Sequence, residues 1–192
     1  MQAFWGNLQE SYSLFIVRCS YFAKELAGFL PNHPSQKGEE LMRVLVEKAA
    51  RRLRLLDGAA TVLECPVALS GQSVGRKERE GDGKTPEGVY HICLVKERGK
   101  YGRGLGLDYP AIADAKAGFE RGAICADTLR AILEAHQENR RPPWGSPLGG
   151  EIYLHGGGIQ SDWTQGCIAL REEDIERLYQ AREQIDEVEI RP

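Results

Sequence analysis

The chain contains no apolar run approaching the ~18 residues a membrane-crossing helix needs, so no transmembrane segment is read from it. It has no block of like charge. Its 25 Lys and Arg against 28 Asp and Glu leave a formal net charge of −3, which offers nucleic acid no electrostatic footprint. The five cysteines (Cys19, Cys65, Cys93, Cys125, Cys167) never fall into a C-x-x-C pair, which removes the usual spacing of a structural zinc site. Five is odd, so at least one thiol stays unpaired whatever disulfides form. There is no internal repeat and no low-complexity segment. Gly83-Lys84-Thr85 looks like the end of a phosphate-binding loop. That motif needs a glycine at position 78, which is Glu78, and a helix where Pro86 and Gly88 lead into a strand. The first ten residues carry no positive charge, and Arg18 and Lys24 interrupt the apolar part that follows, so no convincing export signal is read.

What is present is a globular composition: 42% hydrophobic and 28% charged over 192 residues, enough for one domain with a real core. Leu8, Tyr12, Phe15, Ile16, Cys19, Phe22, Leu26 and Leu30 recur at steps of three and four. This predicts an amphipathic helix that packs on the domain or lies against a membrane surface or a partner. Pro31 to Gly38 reads as a breaker-rich linker, so residues 1–40 are taken as helix and linker and 41–192 as the folded domain.

From residue 42 the pattern turns to short β-rich runs: 42–47, 52–56 and 60–69, the last two joined by a turn at Asp57-Gly58. The basic run from Lys48 to Arg54 reads as the solvated face of a strand. Residues 70–87 form a polar loop, and Val89 to Val95 reads as one strand with His91 as a structural residue. Core packing is the expectation for Cys65, Cys93 and Cys125. Asp127 to His136 has helical spacing with Asp127 as N-cap. Arg140 to Gly150 is a loop placed to frame a cleft. Glu172 to Arg182 is a helix with acids in its first turn, and Asp186 to Ile190 a closing strand.

The chemistry concentrates between Glu151 and Leu170. An apolar strand ends in His155, a glycine-rich reversal follows, and a second apolar strand opens at Gly166-Cys167. A histidine at one strand end beside a cysteine at the start of the next suits a thiol nucleophile, because the thiolate is the attacking form and a free thiol titrates near ~8.5. The competing reading makes Cys167 a small buried hydrophobe and His155 a turn residue. Trp163 reads as a rim or core anchor.

His155-Gly156 followed by Thr164-Gln165-Gly166-Cys167-Ile168, with Gly81-Asp-Gly-Lys-Thr-Pro-Glu-Gly-Val-Tyr90 upstream, resembles the signature of the YkuD-type L,D-transpeptidases. The resemblance implies a mainly β (α+β) domain, a β-sandwich or open barrel with a few short helices, preceded here by the N-terminal helix. It favours strand over helix for residues 42–47. It also implies peptidoglycan chemistry. Cys167 would attack an amide of a stem peptide and form a thioester, with His155 as base, the main-chain carbonyl of Gly156 orienting it, and the N–H groups of Gly166 and Cys167 holding the oxyanion. Thr164, Gln165, Asp108, Tyr109 and Arg171 are the expected substrate contacts. No metal or organic cofactor is implied. The acceptor is a diaminopimelate amine, a lysine of an envelope lipoprotein, or water, and the location is the periplasm or cell envelope. The sequence departs from the pattern at Gln165, where the family usually has His, at Ala169, where Arg or Asn is common, and in the twelve-residue spacing from His155 to Cys167, which is short. Two alternatives stand beside the transpeptidase: an L,D-carboxypeptidase or lipoprotein-link hydrolase of the same fold, and a non-catalytic peptidoglycan-binding module.

Overall fold

The computed structural model describes residues 41–192, so the helix and linker expected over 1–40 lie outside the described residues. An antiparallel pair comes first, β1 (Met42–Glu47) and β2 (Arg52–Asp57), and β3 (Ala60–Pro66) joins β2 across a tight turn. Gly58 in that turn has φ +54°, a left-handed angle that glycine reaches without a Cβ clash. The last strand, β9 (Ile185–Arg191), pairs parallel with β1, and β4 (Gly88–Tyr90) pairs antiparallel with β9. The order is therefore β3-β2-β1-β9-β4.

The second sheet runs β5 (Ile92–Gly99), β6 (Gly102–Leu107), β7 (Tyr153–His155) and β8 (Ile168–Ala169), in that order. The single strand expected over Val89 to Val95 is thus two strands in two sheets. His91 is the break, its N–H donating to Asp108 Oδ1 at 2.8 Å rather than to a neighbouring strand. Ala68 and Ala169 exchange two backbone hydrogen bonds of 2.9 Å, tying the chain after β3 to β8.

Both sheets bury one face in a common core: Val44, Leu53, Leu55 and Val188 from the first, Leu105, Leu107, Leu154 and Ile168 from the second. Each such side chain contributes about 1.5–3 kcal/mol by leaving water. Of the helices, α1 (Ile112–Glu120) and α2 (Ala126–Gln137) share a smaller cluster around Ile132 and Leu148, while α3 (Glu172–Ala181) sends Ile175 and Leu178 into the main core. No helix among the described residues is long and apolar enough to cross a membrane.

Three local expectations are corrected. The first concerns α2, which starts at Ala126 with Cys125 as the residue before it. Asp127 therefore sits inside the first turn, paired with Arg130 at 2.9 Å, and does not cap. Cys125 is exposed at that helix start and is not a core residue. The third is Lys48, which is 3% exposed rather than solvated. Its Nζ donates to Gly75 O (2.7 Å), Thr85 O (3.1 Å) and Glu87 Oε1 (2.8 Å), so it pins the loop between β3 and β4 from beneath. Inside that loop Asp82 accepts from the N–H groups of Glu78, Arg79 and Lys84 and from buried Lys77.

Candidate active site

Strands β7 and β8 lie side by side and parallel, Leu154 opposite Ile168 and His155 opposite Ala169. Leu154 and Ile168 fill the core. Because successive side chains on a strand alternate faces, Tyr153 and His155, and Cys167 just ahead of β8, present to the other face. The neighbouring strand makes room for them. On β6, Gly104 stands opposite His155 and Gly106 opposite Tyr153, while Leu105 and Leu107 take the core positions between and after them. A Cβ at Gly106 would come within 2.8 Å of the Tyr153 ring and 3.2 Å of Trp144. The alternation Gly102-Arg-Gly-Leu-Gly-Leu107 is the sequence signal of this groove.

His155 is buried. Its Nδ1 lies 2.6 Å from the carbonyl oxygen of Gly156, which can only accept, so Nδ1 carries the hydrogen and Nε2 is left to take a proton. Tyr101 stacks on the imidazole with ring centroids 5.0 Å apart, and Trp163 meets it edge-on at 5.5 Å. Burial pulls the imidazole below the ordinary histidine value, and the Gly156 hydrogen bond and the charge of Glu172 act in the opposite direction.

Cys167 is half-buried, its Sγ donating to Glu151 O at 3.4 Å. Burial pushes the thiol up, with Glu151 adding to the rise; the Tyr153 main chain and the positive charges of Lys77 and Lys96 pull it down. Cys167 and His155 line one cavity of about 270 Å³ together with Lys96, Tyr101, Glu151 and Tyr153. Lys96 Nζ sits 4.3 Å above the Tyr153 ring. A second cavity of about 340 Å³, lined by Glu80, Trp144, Ser146, Gly150 and Glu151, shares Glu151 with the first. Glu151 takes φ +55°, a left-handed angle unfavourable for a residue with a side chain.

The turn into the cysteine is fixed by Thr164. Its N–H donates to Leu69 O at 3.0 Å and its hydroxyl to Cys167 O at 2.8 Å, while the Gly166 N–H reaches Thr164 Oγ1 at 3.4 Å. Thr164 is therefore buried and shapes the turn, whereas Gln165 beside it is exposed. None of the five expected substrate contacts lines the cavity of Cys167: Thr164 and Gln165 belong to the turn just described, and the other three lie elsewhere. Tyr109 is fully buried, its hydroxyl donating to Leu148 O at 3.1 Å. Asp108 is taken up by His91 and lines a different cavity with His91, Cys93 and His136. Arg171 precedes α3 and pairs with Glu173 and Asp174 at 3.3 and 3.4 Å. The residues that do line the groove beside the pair, Lys96, Tyr101, Glu151 and Tyr153, went unnoticed in the sequence. Tyr153 was accessible from it, standing two residues before His155 on the same strand. Among the described residues no group of three or more His, Cys, Asp or Glu is arranged to hold a metal ion.

Residues 42–190 match the family model described as the L,D-transpeptidase catalytic domain (YkuD). No curated protein matches the sequence. Among solved structures, the helical cell shape determining protein Pgp2 from Campylobacter jejuni aligns with a TM-score of 0.54 at 24% identity, over 78% of this chain and 47% of that one. A point mutant of the same protein gives 0.56 at 23% identity, over 78% and 46%. An L,D-transpeptidase from Xylanimonas cellulosilytica gives 0.49 at 12% identity, over 86% and 66%. The Pgp2 likeness establishes a shared fold, and the chain spans about half the length of the Pgp2 structures.

Proposed function

The chain belongs to the L,D-transpeptidase (YkuD) catalytic-domain family, and on that premise we propose that it is a cysteine-dependent acyltransferase acting on peptidoglycan stem peptides in the cell envelope. The observation that carries the reading is the placement of Cys167 and His155 on the same face of adjoining strands, lining one cavity, with the histidine's Nδ1 already committed to Gly156 O. Cys167 Sγ attacks the carbonyl carbon of the scissile amide while its proton passes to His155 Nε2. The N–H groups of Gly166 and Cys167 stabilise the oxyanion. Collapse breaks the C–N bond, His155 returns the proton to the departing amine, and a thioester remains on Cys167. An incoming amine or water then resolves the thioester, again with His155 as base. Thr164 serves this scheme by holding the turn and Gln165 by flanking it.

The charge of the cleft favours transfer to an amine. Lys96, Lys100 and Arg103 line the cavity of the cysteine and suit the carboxylates of a stem peptide, whereas Glu80 in the adjoining cavity and Glu151, shared by both, suit an ammonium group. With water as acceptor the same thioester gives an L,D-carboxypeptidase, and with a lipoprotein lysine it gives attachment to the wall.

Intact mass after incubation with a carbapenem, beside a Cys167→Ser control, tests the nucleophile. A single adduct on the wild type and none on the control supports it, and no adduct on either overturns it. Tetrapeptide muropeptides with and without an added amine then separate cross-linked product from shortened tripeptide.

A further inference from the structure

We propose that Glu172 is a positioning residue for His155, acting through the peptide group that joins Gly156 to Gly157. The two ends of that one peptide group are held by different side chains. Its carbonyl oxygen accepts from His155 Nδ1–H at 2.6 Å, and its N–H donates to Glu172 Oε1 at 2.8 Å. The result is a line from imidazole to carboxylate with a planar amide between them. The amide cannot turn without breaking one of the two bonds, so the carboxylate fixes the direction of the carbonyl and hence the tautomer and ring orientation of the histidine.

The seat of this carboxylate is specific. Glu172 opens α3, and its oxygens lie against two glycines from different elements. A Cβ at Gly156 would stand 2.5 Å from Oε1, and one at Gly102, at the start of β6, 3.0 Å from Oε2. A side chain at Gly156 would push the carboxylate aside, and one at Gly102 would crowd it. Gly156 therefore supplies the carbonyl for His155 and also leaves the space that lets the acid approach the next N–H.

The arrangement rests on the cysteine reading above and deepens it. When the Cys167 proton reaches Nε2, the imidazole becomes a cation, and its Nδ1–H bond to Gly156 O becomes charge-assisted. A carboxylate on the far end of the same amide polarises that carbonyl toward the cation, because hydrogen bonds in a chain reinforce one another. No proton moves to Glu172. It orients the base and offsets its developing charge.

The test is the pH dependence of carbapenem acylation at Cys167, followed by intact mass, for wild type, Glu172→Gln and Glu172→Ala. Gln keeps an oxygen for the Gly157 N–H and removes the charge, whereas Ala removes both. The expected result is an acid limb moved to lower pH in the Gln variant, since a histidine without the nearby negative charge is less basic. Its melting temperature should stay near the wild-type value. The Ala variant is expected to lose about tenfold in acylation rate, by analogy with the outer partners that orient metal-bound histidines. A Gln profile that overlays wild type, with Ala losing rate only in proportion to folded protein, overturns the role of Glu172 alone. A wild type that takes no adduct overturns the cysteine reading, and this inference with it.

Discussion

Gly166 faces the carbonyl oxygen of Lys84 so closely that a Cβ built on it would stand 2.7 Å away. Its φ of +126° is also one that side-chain-bearing residues rarely adopt. The glycine before the nucleophile thus joins two sequence blocks more than eighty residues apart, the Gly81–Tyr90 turn and the cysteine turn. Gly166→Ala must move one backbone away from the other, and the strained φ alone costs about 1–3 kcal/mol. The expected outcome is a lower denaturation midpoint and loss of the carbapenem adduct at Cys167. Lys84→Ala leaves both nearly unchanged, because the contact is with the main chain. Equal behaviour of the two variants would contradict this account.

Burial acts on the proposed pair in one direction: it lowers the basicity of His155 and raises the thiol of Cys167. Both shifts disfavour a resting thiolate–imidazolium pair, so the proton leaves Cys167 as the substrate carbonyl is attacked. Cys125 is the opposite case. It is exposed, and its thiol is lowered by the hydrogen bond with the Thr128 side chain, then by backbone N–H groups at the start of α2. Cys65 and Cys93 are pushed up by burial, to about 12 and about 11. Limited iodoacetamide treatment at neutral pH, read by peptide mapping, should therefore mark Cys125 before Cys167, with Cys93 slowed by its raised thiol and buried Cys65 protected until unfolding. The carbapenem should choose Cys167 instead. Iodoacetamide labelling that begins at Cys167 would establish a preformed thiolate.

The same burial sets the pH range. Neutral His155 is the form that accepts a proton, and its titration lies below the ordinary ~6.5, so acylation should persist into mildly acidic solution. For stability the sign is the same. The unfolded chain binds the histidine proton at higher pH than the folded one, so this group's contribution is present above the unfolded value and is lost as pH falls below it. Tyr101 covers the imidazole by stacking at 5.0 Å. Tyr101→Ala lets water in, and the acid limb of the acylation rate should rise toward the ordinary histidine value. A limb that stays in place would assign the shielding to Trp163 alone.

Much of the site was legible because its signals are local. A strand that ends in histidine, a run of glycines and a strand that opens with cysteine can be read within twenty residues, but the expected reversal implies an antiparallel pair, whereas the two strands run parallel with Leu154 and Ile168 on the buried face. Asp57-Gly58 announced its turn in the same way. What failed to show were contacts made far along the chain. Lys48 looks like part of a basic strand face, yet its partners are carbonyls 27 and 37 residues away and Glu87 at 39. Asp108 and Tyr109 sit in a segment whose family likeness suggested the cleft, but their polar atoms are taken by His91 and Leu148. Helix α1 is short and rich in alanine, with too few large apolar residues to register a period. Its start is marked by the Ala111 N–H donating to Asp114 at 3.0 Å. Glu172 was noted as an acid suited to a helix start, which gave no hint of the glycine pair that receives it.

Lys48 is where the fold and the site can be tested together. Lys48→Met keeps the apolar stem and removes the ammonium group, leaving the Gly75 and Thr85 carbonyls and the Glu87 carboxylate without their donor. Breaking one side of a buried ion pair costs about 3–5 kcal/mol, and because Glu87 is 20% exposed and still reaches water, about 2–4 kcal/mol is expected here. Thr85 follows Lys84, whose carbonyl abuts Gly166, so a loosened loop should also slow carbapenem acylation under conditions where the variant is fully folded. Adding Glu87→Gln removes the orphaned charge and should recover part of the stability, while the two carbonyls stay unpaired and the acylation rate stays low. Denaturant midpoints and adduct formation rates for the single and double variants separate the two effects. If Lys48→Met matches wild type in both, the loop is held by the Lys77–Asp82 pair at 3.0 Å and the Arg76–Asp114 pair at 2.8 Å without help from beneath.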